Sequence, residues 1–199
     1  MITMADAIRP AFARRDTPAK AAPVAYEVLL VLAGSALIAV SAWVAVPLPF
    51  SPVPVTGQTF AVLLVGSVLG SRRGAASALA YLAEGASGLP VFAGGASGAH
   101  VLAGPTGGYL AGFVLGAWLC GALAERGWDR RAATTIASMA LGNLAILIPG
   151  LLWLARFVET GPVLVVGLWP FIPGDIVKIG LAATLLPLGW KRLAGLAAP

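Results

Sequence analysis

The stretch Tyr26–Val46, YEVLLVLAGSALIAVSAWVAV, decides the fold of this 199-residue chain. Its length and its near-absence of charge are typical of a helix that spans a bilayer, which needs about 20 apolar residues. A cleaved signal peptide has a shorter apolar core and a small-residue cleavage site. This run instead ends in Val46-Pro47-Leu48-Pro49, and further apolar runs follow it. The stretch therefore predicts a first membrane helix.

The composition of the whole chain agrees with a membrane protein. Hydrophobic residues make up 59% and charged residues 11%, whereas a soluble domain carries about 25% charged residues. The net charge of +5 does not indicate a nucleic-acid-binding protein, because the basic residues lie in short clusters between apolar runs. A single cysteine, Cys120, excludes an internal disulfide, and with a single histidine it argues against a zinc site. No Gly-Lys pair occurs, which excludes a P-loop for ATP.

Five further apolar segments follow the first along the chain. They predict an all-α integral membrane protein with a bundle of six transmembrane helices, formed by residues 23–199, behind a mobile basic tail at residues 1–22. The five segments are Gly57–Leu69, Gly74–Ala86, Tyr109–Leu123, Ala133–Phe157 and Gly174–Leu188.

The basic residues predict the orientation of the bundle. With the N-terminus inside, 11 of the 13 Lys and Arg residues fall in the tail or in cytoplasmic connections, and Arg156 and Lys178 are the exceptions. An even number of crossings returns the C-terminus to the cytoplasm. The distribution follows the positive-inside rule, so we expect both termini in the cytoplasm and a multi-pass membrane protein.

The same orientation places three apolar, Gly- or Pro-rich connections on the outer side: Pro47–Thr56, Gly88–Pro105 and Val158–Pro173. Irregular backbone at membrane depth is tolerated where protein buries it or where it lines a cavity. These connections therefore predict loops that cap a ligand pocket at the outer end, and ordinary loops are the alternative.

Two ionisable residues, Asp175 and Lys178, open the last segment. At i and i+3 on a helix they share a face, and Pro173-Gly174 marks a helix start at which the dipole favours a carboxylate. Charges inside a membrane are costly and usually functional. The pair predicts a ligand site, and a structural ion pair is the alternative.

Other polar residues are weaker candidates. Asn143 lies in the middle of a segment, where its amide needs a partner helix or a ligand. Gln58 and Thr56 adjoin the first outer connection and could cap a helix or line the pocket. We expect the Tyr109 hydroxyl to point at the pocket, although interfacial tyrosines are also common anchors. Glu84 either reaches the interface or binds ligand.

An enzyme is a remote alternative. Ser97 lies in one of two Gly-Ala-Ser-Gly repeats, which are similar to the serine motif of intramembrane proteases. Such a serine needs a histidine base, and the only histidine, His100, lies on the same Gly-rich connection rather than on a facing helix. The pattern disfavours an intramembrane serine protease.

Four stretches are similar, in order and spacing, to the signature motifs of the BioY family, the biotin-binding S components of energy-coupling factor (ECF) transporters. They are PVPVTGQT at 52–59, GLPVFAGG at 88–95, GPTGGY at 104–109 and PFIPGDIVK at 170–178. The resemblance covers roughly Tyr26 to Leu188.

The resemblance implies a six-helix subunit that captures biotin with high affinity near the outer face and has no enzymatic activity or cofactor of its own. It also implies two kinds of partner, a transmembrane coupling (T) subunit and a pair of cytoplasmic ABC ATPases. An S component for another small vitamin or an amphipathic anion is the alternative.

The resemblance also implies roles for individual residues. Asp175 and Lys178 match polar contacts in the last helix, the loop from Phe92 to Gly95 matches the substrate cover, and Tyr109 matches the Gly-Gly-Tyr motif. Gly94 and Gly95 could offer only backbone groups to a ligand. The Ser35-x-x-x-Ala39 pattern resembles the small-residue face that docks on the coupling subunit.

Overall fold

The computed structural model describes residues 3–8, 21–158 and 163–196. Most of them are helical. The helices are α1 (Met4–Ala7), α2 (Ala21–Ser41), α3 (Gln58–Leu69), α4 (Ser71–Ala86), α5 (Ala99–Ala103), α6 (Gly107–Ala124), α7 (Ala132–Leu154), α8 (Val163–Gly167) and α9 (Ile172–Leu196).

Four stretches of the described chain are long and apolar enough to cross a membrane: 24–41 in α2, 107–124 in α6, 132–154 in α7 and 163–193, which spans α8 and α9. The apolar helix α3 is shorter. Large apolar side chains on these helices face outward, for example Leu29 on α2 and Leu152 on α7. In water such a surface would be unfavourable, so the helices are those of a membrane protein.

Helix α6 lies at the centre of the bundle, against α3, α4 and α7. Glycines allow this close approach, as in many membrane helix pairs. A Cβ on Gly66 of α3 would lie 2.3 Å from the carbonyl oxygen of Ala117 on α6. Helix α9 packs mainly on α7, and this arrangement brings the start of α9 close to the start of α3.

The first outer connection is a β-hairpin, so the all-α prediction was incomplete. Helix α2 ends at Ser41, and residues predicted to be helical up to Val46 instead enter strand β1 (Ala45–Leu48), which pairs antiparallel with β2 (Ser51–Thr56). The paired residues are Ala45 with Thr56, Val46 with Val55 and Leu48 with Ser51. All four prolines of the connection fall between these pairs, which explains how a Pro-rich segment forms a ladder.

The other two outer connections contain short helices. Residues 88–105 include a 3-10 turn at Ala93–Gly95 and then α5, and residues 158–173 include α8. These connections are thus partly ordered into helical turns over the end of the bundle.

Residues 3–8 form a short helical segment within the tail that the sequence predicts to be mobile. Thr3 caps α1 through a capping box with Asp6, and Asp6 forms an ion pair with Arg73 of α4 at 2.8 Å. Thr3 and Ala5 are buried. This first segment therefore packs on the basic end of the bundle, while residues 9–20 lie outside the described part of the chain.

Candidate functional site

A cavity of about 190 Å³ lies at the end of the bundle that carries the three Gly- and Pro-rich connections, called the outer end here after the orientation predicted from the sequence. The β-hairpin, the starts of α3, α6 and α9, the middle of α7 and the two other outer connections all contribute to its wall. Its lining residues are Val53, Pro54, Thr56, Gln58, Thr59, Phe92, Ala93, Ala96, Val101, Thr106, Tyr109, Leu110, Phe113, Asn143, Leu147, Phe171 and Asp175. Residues of all three Gly- and Pro-rich connections thus line one cavity, and their role as the cap of a ligand pocket stays a prediction.

Aromatic rings form much of the apolar wall. Phe92 is almost fully buried and lies edge-on to Tyr81, with ring centroids 5.5 Å apart. Gly85 of α4 makes room for it, since a Cβ there would lie 2.1 Å from the Phe92 ring. Phe92 thus anchors the second connection to α4 and holds that connection over the cavity.

Asp175 is the one acidic side chain in the cavity lining of the described residues, and it is 7% exposed. It lies in the first turn of α9, where its backbone N–H donates to the carbonyl of Phe171 at 2.8 Å. The helix dipole favours a carboxylate there. Its Oδ1 lies 3.3 Å from the Lys178 Nζ. The predicted i, i+3 pair therefore forms, and Asp175 faces the cavity.

Lys178 lies behind Asp175 and is absent from the cavity lining. Its ammonium donates to the Thr59 hydroxyl oxygen at 2.8 Å as well as to Asp175. Thr59 stands in the first turn of α3 and itself lines the cavity. The lysine therefore connects α3 to α9, and the ligand contact that the sequence indicates for it stays a prediction.

Asn143 lies near Asp175 on the facing helix α7 and lines the cavity. It is 8% exposed, and its Oδ1 has no hydrogen-bond partner within the described residues. A buried amide without a partner is costly, and such groups in native structures require an explanation. Of the two possibilities from sequence, a helix partner or a ligand, the unpaired oxygen favours a ligand.

Gln58 and Thr56 also line the cavity, and both are partly engaged by protein groups. The Gln58 amide donates to the Tyr81 hydroxyl, which in turn donates to the Val91 carbonyl at 3.1 Å. The Thr56 hydroxyl oxygen accepts from the Gln58 backbone N–H at 3.3 Å. This chain of hydrogen bonds ties the hairpin, α3 and α4 to the second connection.

The Tyr109 ring lines the cavity, but its hydroxyl does not point freely into it. The hydroxyl donates to the Gly167 carbonyl of α8 at 2.8 Å. Gly150 of α7 admits the ring, since a Cβ there would lie 2.3 Å from it. The expectation about the Tyr109 hydroxyl is thus corrected: it holds the third connection in place and presents its ring.

Gly94 and Gly95 are exposed and are absent from the cavity lining, which the flanking Ala93 and Ala96 form instead. Their φ angles are +68° and +76°, a left-handed conformation that favours glycine. These glycines shape the turn so that Phe92 and the two alanines face inward.

The remaining candidates lie outside the cavity. Ser35 is fully buried and donates to the Glu84 carboxylate at 2.6 Å, and Ala39 is half-buried. Ser35 therefore faces α4 rather than the membrane. No hydrogen bond joins Ser97 to His100 in the described part of the chain, and His100 is exposed on α5. Among those residues no cluster of His, Cys, Asp or Glu could hold a metal ion.

Sequence reasoning missed several residues of the wall, among them Thr59, Phe113 and Phe171. Thr59 follows Gln58 directly, so the Gly-Gln-Thr motif was a signal for it. Phe171 stacks beside Tyr109 at a centroid distance of 6.0 Å. Phe113 lies one turn beyond Tyr109 on α6, and i, i+4 spacing on one helix face could have identified it.

A largely apolar cavity with a few inward polar groups, enclosed by membrane-type helices, defines the class: a membrane protein that binds a small, partly polar molecule. The family model described as the BioY family matches residues 14–195. The chain belongs to the BioY family.

Relatives and a solved structure support the assignment. The chain is 43% identical to the biotin transporter BioY of Thermotoga maritima over 80% of this chain and 92% of the relative. It is 41% identical to a probable biotin transporter BioY of Pyrococcus horikoshii, over 86% and 98%. The crystal structure of an S-component for biotin from an ECF-type ABC transporter superposes with a TM-score of 0.73 at 27% identity, covering 85% of this chain and 93% of that one.

Proposed function

We propose that the chain captures biotin at the outer face of a prokaryotic cytoplasmic membrane and serves as the substrate-binding subunit of an ECF-type transporter. The observation that carries the proposal is the pair of inward polar groups, Asp175 and Asn143, in a largely apolar cavity. Close relatives that are named biotin transporters support the choice of ligand.

The chemistry of biotin suits these groups. Its ureido ring carries two N–H donors and one carbonyl acceptor, its sulfur ring is apolar, and its tail ends in a carboxylate. The Asp175 carboxylate can accept from the ureido N–H groups, and the Asn143 amide can pair with the same ring. Hydrogen bonds to a charged group contribute about 1.5–3 kcal/mol. The rings of Phe92 and Tyr109 enclose the apolar part.

The other candidate residues act mainly through these two polar groups and the enclosing rings. Lys178 orients Asp175, while Gln58 and Thr56 hold the wall in place. Gly94 and Gly95 contribute only backbone groups, and they reach a ligand only if the turn shifts inward.

The likeness to an S-component from an ECF-type ABC transporter supports the remainder of the transport machinery. A transmembrane coupling subunit and two cytoplasmic ABC ATPases supply the energy. The chain crosses the membrane six times, through α2, α3, α4, α6, α7 and α9, with both termini in the cytoplasm. Because Ser35 is buried against Glu84, docking on the coupling subunit uses the exposed face of α2 near Ala33 and Ala36.

Calorimetric titration of the purified full chain with biotin and with lipoate tests the proposal. Lipoate shares a sulfur ring and a carboxylate tail with biotin but lacks the ureido group. A site built to hydrogen-bond a polar ring rejects analogues without that ring. We expect biotin to bind and lipoate to bind at least about 1,000-fold more weakly.

Thiamine and riboflavin, titrated separately, complete the test as alternative ligands. No heat from biotin together with binding of one of these vitamins would identify an S component of different specificity. Equal binding of lipoate and biotin would show that the cavity recognises the acyl tail and not the ureido ring.

A further inference from the structure

A second concave surface lies at the opposite, basic end of the molecule, between the start of α7 and residues 183–191 of α9. This groove has a volume of about 490 Å³. Three cationic residues, Arg130, Arg131 and Lys191, line one part of it, and apolar residues that include Ala183, Pro187 and Leu188 line the rest. The biotin-site chemistry uses none of these residues.

The cations of the groove are available for an anionic ligand. All three are exposed, and none of them forms an ion pair with a carboxylate of the described residues. The Arg130 guanidinium is held in place by stacking over the Trp190 ring, 4.5 Å from its centroid. Arg131 is the N-cap of the 23-residue helix α7 and makes no side-chain cap bond there. The positive end of a long helix dipole thus adds to the three charges.

An apolar track leads from the cations along α9. Leu188, Thr184 and Leu181 are exposed on one face, at helical spacing from Lys191. The Thr184 hydroxyl donates back to the Leu181 carbonyl at 2.8 Å, so its polarity is satisfied within the helix. From Lys191 to Leu181 the track rises about 15 Å. That distance is about half of a 30 Å hydrocarbon core, which is the depth of one leaflet.

We propose that this groove binds an anionic diacyl phospholipid of the inner leaflet, with its phosphate at Arg130, Arg131 and Lys191 and an acyl chain along α9. Cationic pockets between membrane helices on the cytoplasmic side suit anionic headgroups. The occupant is a lipid rather than an acidic protein segment, because the charge is confined to one end of the track and the rest is apolar and as long as a leaflet is deep. The lipid anchors the junction between α7 and α9, which packs Asn143 near Asp175.

Native mass spectrometry of the full-length chain tests the proposal. The detergent-solubilised protein is titrated with palmitoyl-oleoyl phosphatidylglycerol and with phosphatidylcholine of the same acyl chains. The groove variant Arg131→Gln/Lys191→Gln is compared with the matched control Arg72→Gln/Arg126→Gln, which removes two exposed arginines at the same end but outside the groove. We expect the groove variant to lose about thirtyfold in affinity for phosphatidylglycerol, since each basic side chain contributes roughly fivefold.

Thr184→Trp provides an independent arm, because it obstructs the apolar track without changing the charge. We expect it to weaken phosphatidylglycerol binding while the thermal unfolding temperature stays equal to that of the wild type. Three results would overturn the proposal: equal affinity for the two lipids, equal losses in the groove and control variants, or full displacement of the lipid by millimolar inorganic phosphate, which would indicate a simple anion site.

Discussion

Both ends of the bundle contain partly or fully buried charged groups, but the groups at the two ends differ in how completely they are hydrogen-bonded or ion-paired. At the basic end, Arg73 contacts Asp6 at 2.8 Å and makes two hydrogen bonds to Glu27. Glu125 accepts from both the backbone N–H and the hydroxyl of Ser71, at 2.8 and 2.9 Å. Each of these acids meets a donor from another helix or connection.

At the outer end the polar groups are fewer and less satisfied. Asp175 has a single cation at 3.3 Å, and the Asn143 oxygen has no partner in the described structure. Leaving such groups unpaired in an apolar wall costs free energy. The paired charges of the basic end therefore hold helices together, whereas the outer end retains polar groups with which a ligand can form hydrogen bonds.

Asp129 is the exception at the basic end. One of its oxygens accepts from the Trp190 indole at 2.5 Å, and the other has no partner among the described residues. Burial raises the pKa of this carboxyl, although the Trp190 hydrogen bond works in the other direction. The raised pKa reflects the cost of this site, because burial disfavours the charged form of a carboxyl.

Asp175→Asn should break the comparison most strongly. The exchange removes a charged acceptor, so we expect biotin affinity to fall about 100-fold, the loss of a charge-assisted hydrogen bond of about 2–3 kcal/mol. Because the wild-type carboxylate is poorly satisfied, the unfolding free energy should change by less than about 1 kcal/mol. Titration calorimetry and thermal unfolding measure the two quantities. The control Glu125→Gln at the basic end should leave affinity unchanged, and a comparable loss in that variant would contradict the division of roles.

Arg73→Met should show the reverse pattern. The substitution leaves the Asp6 and Glu27 carboxylates without their shared cation, and these side chains are about one-third exposed, at 32% and 34%. We expect a loss of about 2 kcal/mol of unfolding free energy, between the values for exposed and buried pairs. Biotin affinity of the folded protein should be unchanged. The exposed neighbour provides the control, Arg72→Met, which should affect neither quantity; a weaker biotin affinity in Arg73→Met would couple the two ends.

The sequence predicted the helices well where glycines mark their ends. The predicted segment Gly57–Leu69 became α3 at Gln58–Leu69, between Gly57 and Gly70. The β-hairpin was missed because its four prolines argue against a strand, and its pairs avoid them only through one particular register. That register depends on how the chain returns from α2 to α3, which local patterns do not determine.

The same distinction holds for the site. Asp175 was predicted from its place at a helix start, which is a backbone property that sequence expresses. Whether Lys178 lines the cavity depends on the conformation of its flexible side chain. Its ammonium donates to the Thr59 hydroxyl oxygen, and Thr59 lies 119 residues earlier in the chain. For Gly94 and Gly95, the motif identified the covering loop but not which of its residues face inward.

Thr59→Val sharpens the comparison by testing the positioning role of Lys178. The exchange preserves shape but removes the acceptor 2.8 Å from the ammonium. We expect about a fivefold loss of biotin affinity, equivalent to one ordinary hydrogen bond of about 1 kcal/mol. Thr59→Ser, which retains the hydroxyl, should bind like the wild type. If the serine and valine variants lose affinity equally, Thr59 acts through its methyl group and not through Lys178.

The smallest expected effect concerns Asp6 at the basic end. Burial works to raise the pKa of Asp6, but hydrogen bonds from Thr3 and Arg73 and the Arg73 charge outweigh it and hold the pKa below its usual 3.8. A carboxyl whose pKa is lower in the folded state stabilises the fold at any pH above its unfolded-state pKa. This stabilisation is lost as the pH falls through the folded-state pKa. Since the Asp6–Arg73 pair is partly exposed, the unfolding free energy of the wild type should exceed that of Asp6→Asn by less than about 1 kcal/mol. Thermal unfolding should show this gap at pH 6, a smaller gap below pH 3.8, and a reduced gap in an Arg73→Met background, where only the Thr3 hydrogen bonds remain. A gap independent of pH would assign it to the helix cap alone.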